Sequence, residues 1–116
     1  MNNLSSIKER YLRDELPVRL GGLAANLRRI PSFARSESNR EAVAALIDES
    51  KYFIEWTAAG ADIDAAGALV ELQLELAGWQ RNWPAIWADP ERRRQVGEAS
   101  RAWSDRVLEL SGLLNS

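Results

Sequence analysis

The chain has 116 residues, 46% hydrophobic and 28% charged, with a net charge of −2, a composition that suits one ordinary globular domain with a single core. It contains no cysteine and no histidine, which removes disulfides, thiolate chemistry, the commonest general base and the commonest transition-metal ligand. The slight acidity argues against general nucleic-acid binding, which favours a strongly basic domain.

The opening MNNLSSIKERYLRDEL lacks the apolar run of a signal peptide, and no segment approaches about 18 uncharged apolar residues. The expectation is a cytoplasmic protein without a membrane span. Of the 15 basic residues only Lys8 and Lys51 are lysines. Arginine favours fixed, bidentate ion pairs, although a GC-rich genome would give the same bias.

Ser6 and Glu9 have capping-box spacing and open a first helix over 6–29. Leu16, Leu20, Leu23, Leu27 and Ile30 line one face of it. Pro17 interrupts, and a kink is expected rather than a break, because Leu16 is a poor N-cap. Gly21, Gly22, Ala24 and Ala25 make a small-residue surface that a neighbouring helix can approach closely. Pro31 ends the helix.

Ser38 to Glu41 reads as a second capping box, opening a helix over 38–58 with Val43, Leu46, Ser50, Phe53 and Thr57 as its seam. Tyr52 and Trp56 lie one turn apart on its flank. Gly60 closes this helix and Asp62 caps the next, over 62–83. There Leu69, Leu72, Leu76, Trp79, Trp83 and Ile86 step by three and four, the pattern of a helix packed lengthwise. A second row, Ile63, Gly67, Val70, Leu74 and Ala77, is expected to widen the buried face and make this the most enclosed helix.

Pro84 ends or bends it. Asp89, Pro90 and Glu91 start a last helix over 89–111, with an N-cap, a proline at the first position and an acid in the first turn. It should turn Val96, Ala99, Trp103, Val107, Leu110 and Leu114 inward and close at Gly112. Four amphipathic helices on short loops predict one domain over 1–116, an all-α, up-down-up-down antiparallel four-helix bundle. A helical hairpin pair exchanged with a second chain is the alternative.

No catalytic pattern emerges. Di-metal bundles need Glu-x-x-His pairs, and the chain has no histidine. The acids Glu37, Glu41, Asp48, Glu49, Asp62, Asp64, Glu71 and Glu75 do not reproduce the E-E-x-x-E, E-x-x-D arrangement of all-α nucleotide pyrophosphohydrolases. Gly21-Gly22 lacks the strand and lysine of a phosphate loop. No catalytic residue, cofactor or metal ligand is assigned.

In such a bundle the first and third inter-helix connections share one end. That end gathers Arg28, Arg29, Arg35, Arg40, Arg81, Arg92, Arg93 and Arg94 against Glu37, Glu41, Asp89 and Glu91. Arg92 to Arg94 crowd a helix N-terminus, where cations oppose the dipole. Pairing with Asp89, Glu91 and Glu37 would offset this; so would an acidic partner or an anion. Trp83 and Trp87, either side of Pro84, should be partly exposed near this pole. Aromatic residues beside arginines compose interface hot spots.

The string Glu49-Ser50-Lys51-Tyr52-Phe53-Ile54-Glu55-Trp56-Thr57-Ala58, with Leu23-Ala24-Ala25-Asn26-Leu27 before it and Trp79-Gln80-Arg81-Asn82-Trp83 after it, resembles a group of small all-helical cyanobacterial proteins. The resemblance implies a bacterial cytoplasmic setting and carries no activity, cofactor or site residue.

The functional expectation is a non-enzymatic interaction bundle, self-associating as a homodimer or other homo-oligomer through Tyr52 and Trp56. Trp83, Trp87, Arg28, Arg29, Arg40, Arg92, Arg93 and Arg94 would form a pole for an acidic partner. The alternative is a small anion- or nucleotide-binding domain at the same pole, as in a divergent all-α nucleotide hydrolase.

Overall fold

The computed structural model describes residues 3–112, and every regular element in it is helical. The elements are α1 (Asn3–Arg13), α2 (Leu16–Phe33), α3 (Arg40–Ala58), α4 (Ile63–Arg81), α5 (Trp83–Ala88) and α6 (Pro90–Ser111), with a 3₁₀ turn at Glu37–Asn39. No helix among the described residues is long and apolar enough to cross a membrane.

The chain breaks at Asp14-Glu15 instead of kinking at Pro17. Glu15 is extended, and Pro17 falls in the first turn of α2, where its missing N–H costs nothing and its fixed φ suits the helix. Arg19 closes the break by donating from Nε to the Asp14 carbonyl at 2.8 Å. α1 is already helical at Asn3, so Ser6 lies inside it. Pro31 does not end α2 but sits within its last turn.

The second capping box does not form. Asn39 precedes α3 without a side-chain cap and instead donates to the Phe33 carbonyl at 3.1 Å. Two expected N-caps do form: Asp62 accepts from the Ala65 amide at 2.8 Å and Asp89 from the Glu91 amide at 3.0 Å. Gly112 ends α6 at φ 73°, a left-handed conformation that glycine adopts without steric cost. Asn82, non-helical, separates α4 from α5, which takes Pro84 in its first turn.

α2 is the helix most enclosed. Leu20, Leu23, Ala24, Leu27 and Ile30 are buried between α3 and α6. Gly97 lies against Pro31, and Ser104 Oγ donates to the Ala24 carbonyl at 2.8 Å, so α2 and α6 run antiparallel. α6 makes this approach with a seam of small residues, burying Val96, Gly97, Ser100, Ser104 and Val107. Ala99, Trp103 and Leu110 are only half-buried. The inward face is thus rotated from the one expected, and Leu114 lies outside the described residues.

α4 contributes Ala65, Ala68, Leu69, Leu72 and Leu76 to the core. Its second row does not widen that face: Ile63, Val70 and Leu74 are 88%, 55% and 69% exposed. At 100° per residue the two rows point in opposite directions, so only one can meet the core. α4 reaches α6 through Arg106, whose guanidinium pairs with Glu71 at 3.2 Å, and through Trp103, whose indole donates to Glu75.

Candidate functional site

The C-terminal turn of α2 and the first turns of α6 enclose a cleft of about 360 Å³. Its apolar lining comes from Pro31, Ala34, Pro90 and Gly97, and its charged lining from Arg35, Arg93, Arg94 and Arg101, with Glu98 the one acid among them. Gly97 makes the close approach of the two helices possible: a Cβ added there would lie 3.2 Å from the Pro31 Cα. Arginine side chains at the edge of an apolar floor can fork onto a carboxylate or phosphate where water is partly displaced.

The four arginines differ in how far they are already engaged. Arg94 forks onto Glu91 and also pairs with Glu98. These bonds hold the Glu91 carboxyl below its ordinary range. Arg93 donates from Nη1 to the Trp87 carbonyl at 2.7 Å and lies 5.4 Å over the Trp87 ring. Arg35 and Arg101 have no ion pair among the described residues. The charge open to a ligand therefore comes chiefly from these two. The helix end adds little, since Asp89 already caps it.

Only part of the anticipated arginine pole converges. Arg93 and Arg94 reach the cleft, whereas Arg28 pairs with Asp105 at 3.0 Å. Arg29 lines a separate groove with Tyr11, Gly22 and Glu49. Arg92 faces Glu75, Trp79 and Gln95. Arg40 opens α3 exposed and without an ion pair among the described residues. Arg101 escaped the sequence reading. Its signal was the seven-residue step from Arg94, two turns along the same face with Gly97 between.

Trp87, expected to be partly exposed, is only 4% exposed. Its indole donates to the Glu37 carbonyl at 2.9 Å, and its ring meets that of half-buried Trp83 at 5.2 Å. This contact joins α5 to the 3₁₀ turn and places the carbonyl that Arg93 uses. Nor are Tyr52 and Trp56 an open aromatic patch. Both are half-buried, stacked at 5.6 Å, and Trp56 also meets Tyr11 at 5.9 Å and Phe53 at 6.0 Å. Tyr11 in turn stacks on Phe53 at 4.0 Å. The cluster is the platform on which α1 docks.

The carboxylates weighed as catalytic candidates have structural partners where they are half-buried or cap a helix. Glu49 accepts from Asn26, Glu75 from Trp103, and Asp62 from its own helix. Among the described residues no three acids gather as a metal-binding group. Chemically, a guanidinium offers hydrogen-bond donors and no acceptor, so the cleft suits an anion. No family model, curated protein or solved structure matches the chain.

Proposed function

We propose that the protein is a non-enzymatic interaction module that receives an acidic segment of a protein partner in the cleft between α2 and α6. The observation that supports this reading is the pair Arg35, in the turn after α2, and Arg101, on α6, at one cleft without ion pairs among the described residues. We read α2, α3, α4 and α6 as an up-down-up-down antiparallel four-helix bundle, a stiff frame for that pair. The resemblance to small cyanobacterial proteins fits a bacterial cytoplasmic setting.

A nucleotide is the weaker occupant. The cleft lining includes no aromatic ring on which a base could stack, and Trp87 is spent on Glu37 and Arg93. A side-chain carboxylate needs only the guanidinium fork and an apolar floor, which the cleft has.

Thermal melts with a hexaglutamate peptide, inorganic phosphate, or nucleotides with Mg²⁺ test the reading. A ligand at 100 times its dissociation constant stabilises the native state by about 2.7 kcal/mol. The peptide should raise the melting temperature of the wild type, less so at high salt, and should not raise that of Arg35→Gln/Arg101→Gln. A shift with nucleotides alone would favour the alternative. Absence of any shift would remove the cleft as a binding site.

A further inference from the structure

The outward stripe of α4 is an apolar feature that the core does not use. Ile63, Val70 and Leu74 are the three most exposed large hydrophobic side chains among the described residues. Gly67 lies between them, and a Cβ added there would meet nothing within 4 Å. Positions 63, 67, 70, 74, 77 and 81 step by four and three along the outer face. That is the seam of a helix paired lengthwise, here directed away from the protein's own core. Single exposed apolar residues are ordinary, but a contiguous row marks an interaction surface.

The charges at the two ends of the row identify the occupant. Asp62 and Asp64 stand at its start and Arg81 closes it, and among the described residues Asp64 and Arg81 have no ion pair. A stripe that is acidic at one end, basic at the other and apolar between is complementary to itself reversed. We propose that α4 is the interface of an antiparallel homodimer, in which two copies pack their outer stripes about a two-fold axis near Leu72.

In that register Val70 of one copy meets Leu74 of the other, Gly67 meets Ala77, and Arg81 comes level with Ile63 and reaches Asp62 or Asp64. Each contact occurs twice, as two-fold symmetry requires. Gly67 against Ala77 lets the backbones approach closely. Glu71 flanks the axis in both copies, and its ion pair with Arg106 limits the repulsion there. On the other flank stands Gln73, half-buried and uncharged, which brings no charge conflict.

One helix face per copy is at the small end of specific interfaces, so the dimer should be a concentration-dependent equilibrium. This surface is separate from the arginine cleft, and either can fail without the other. The test is sedimentation equilibrium on the intact chain from about 1 to 500 µM, with helicity checked by circular dichroism. Wild type should pass from the 13.0 kDa monomer to twice that mass.

Leu74→Glu, at an exposed position, should keep its helicity and raise the dissociation constant at least tenfold. Arg81→Glu should raise it severalfold, and Asp64→Arg/Arg81→Glu should restore it to within about twofold. A wild type that stays monomeric throughout would overturn the proposal and leave the stripe to another kind of partner. A dimer indifferent to Leu74→Glu would overturn it too. Loss on Arg81→Glu without rescue by the double variant would overturn the antiparallel arrangement.

Discussion

Gly97 of α6 faces Pro31 of α2 so closely that a methyl group at 97 would lie 3.2 Å from the Pro31 Cα. The contact sets the depth of the arginine cleft, because a side chain at 97 would fill its floor and wedge the helices apart. Exchanging a helix-interior glycine for alanine gains about 1 kcal/mol in propensity, while overpacking a close contact costs about 1–3 kcal/mol. The obstacle is helix backbone and not the far end of a flexible side chain, so the cost should prevail. Gly97→Ala is expected to lose about 1 kcal/mol in urea unfolding. Gly78→Ala, where an added Cβ meets nothing within 4 Å, should gain about as much.

Tyr11 couples α1 to the rest of the fold and makes stability sensitive to alkali. Its hydroxyl donates to the Arg19 carbonyl at 2.7 Å and lies 3.0 Å from Thr57 Oγ1, and burial pushes its pKa up to about 12. The neutral phenol is favoured in the folded state, so this contribution is complete below about pH 10, the ordinary value of a solvated tyrosine. Between pH 10 and 12 the unfolded chain has lost the proton and the folded one retains it. Stability should fall there by up to about 1.4 kcal/mol per pH unit. Tyr11→Phe should lose about 1 kcal/mol at neutral pH and flatten that alkaline limb in denaturant titrations.

The limits of α4 and α6 were legible because they are written in local chemistry: Asp62 and Asp89 cap, Pro84 follows the end of α4, Pro90 opens α6, and Gly112 takes the left-handed turn. What sequence could not decide was which of two acceptable faces the core selects. α4 carries two apolar rows on opposite sides, and periodicity scores both, whereas a single core can bury only one. α6 offered Ala99 and Trp103, but α2 lies so near that the serines and Gly97 face it instead. The cleft was half legible. Arg93 and Arg94 stood out as a cluster and Arg101 follows on the same face of α6, but Arg35, in the turn after α2, meets them only through the antiparallel packing of α2 on α6.

Two buried small residues, Ser50 of α3 and Ser100 of α6, carry an energetic cost. The hydroxyls of Ser50 and Ser100 are fully buried and have no hydrogen-bond partner among the described residues. Removing an unsatisfied buried hydroxyl recovers its desolvation penalty, and alanine is the better helix former. Ser100→Ala should therefore stabilise by about 1 kcal/mol in thermal or urea unfolding. Ser104→Ala, which removes the bond to the Ala24 carbonyl, should cost about as much. If both serines proved equally costly to replace, Ser100 would have a partner in solution.

Arg92 and Arg93 are neighbours in sequence with separate duties. Both lie in the first turn of α6, where a positive charge opposes the helix dipole by about 0.3–1 kcal/mol. Arg92 is exposed and has no ion pair among the described residues, so Arg92→Gln should leave stability unchanged or raise it by a few tenths of a kcal/mol. Arg93 donates a charged hydrogen bond to the Trp87 carbonyl and covers that ring, contributions of about 1.5–3 and 0.5–1 kcal/mol when such partners are lost. Glutamine can keep a weaker bond, so Arg93→Gln should cost about 1–2 kcal/mol. The same pair separates binding from folding. Arg93 lines the cleft and Arg92 does not, so hexaglutamate affinity should fall with Arg93→Gln and hold with Arg92→Gln. Equal losses of affinity from both variants would mean that the peptide senses the charge of the whole helix end, and the cleft would no longer be the site.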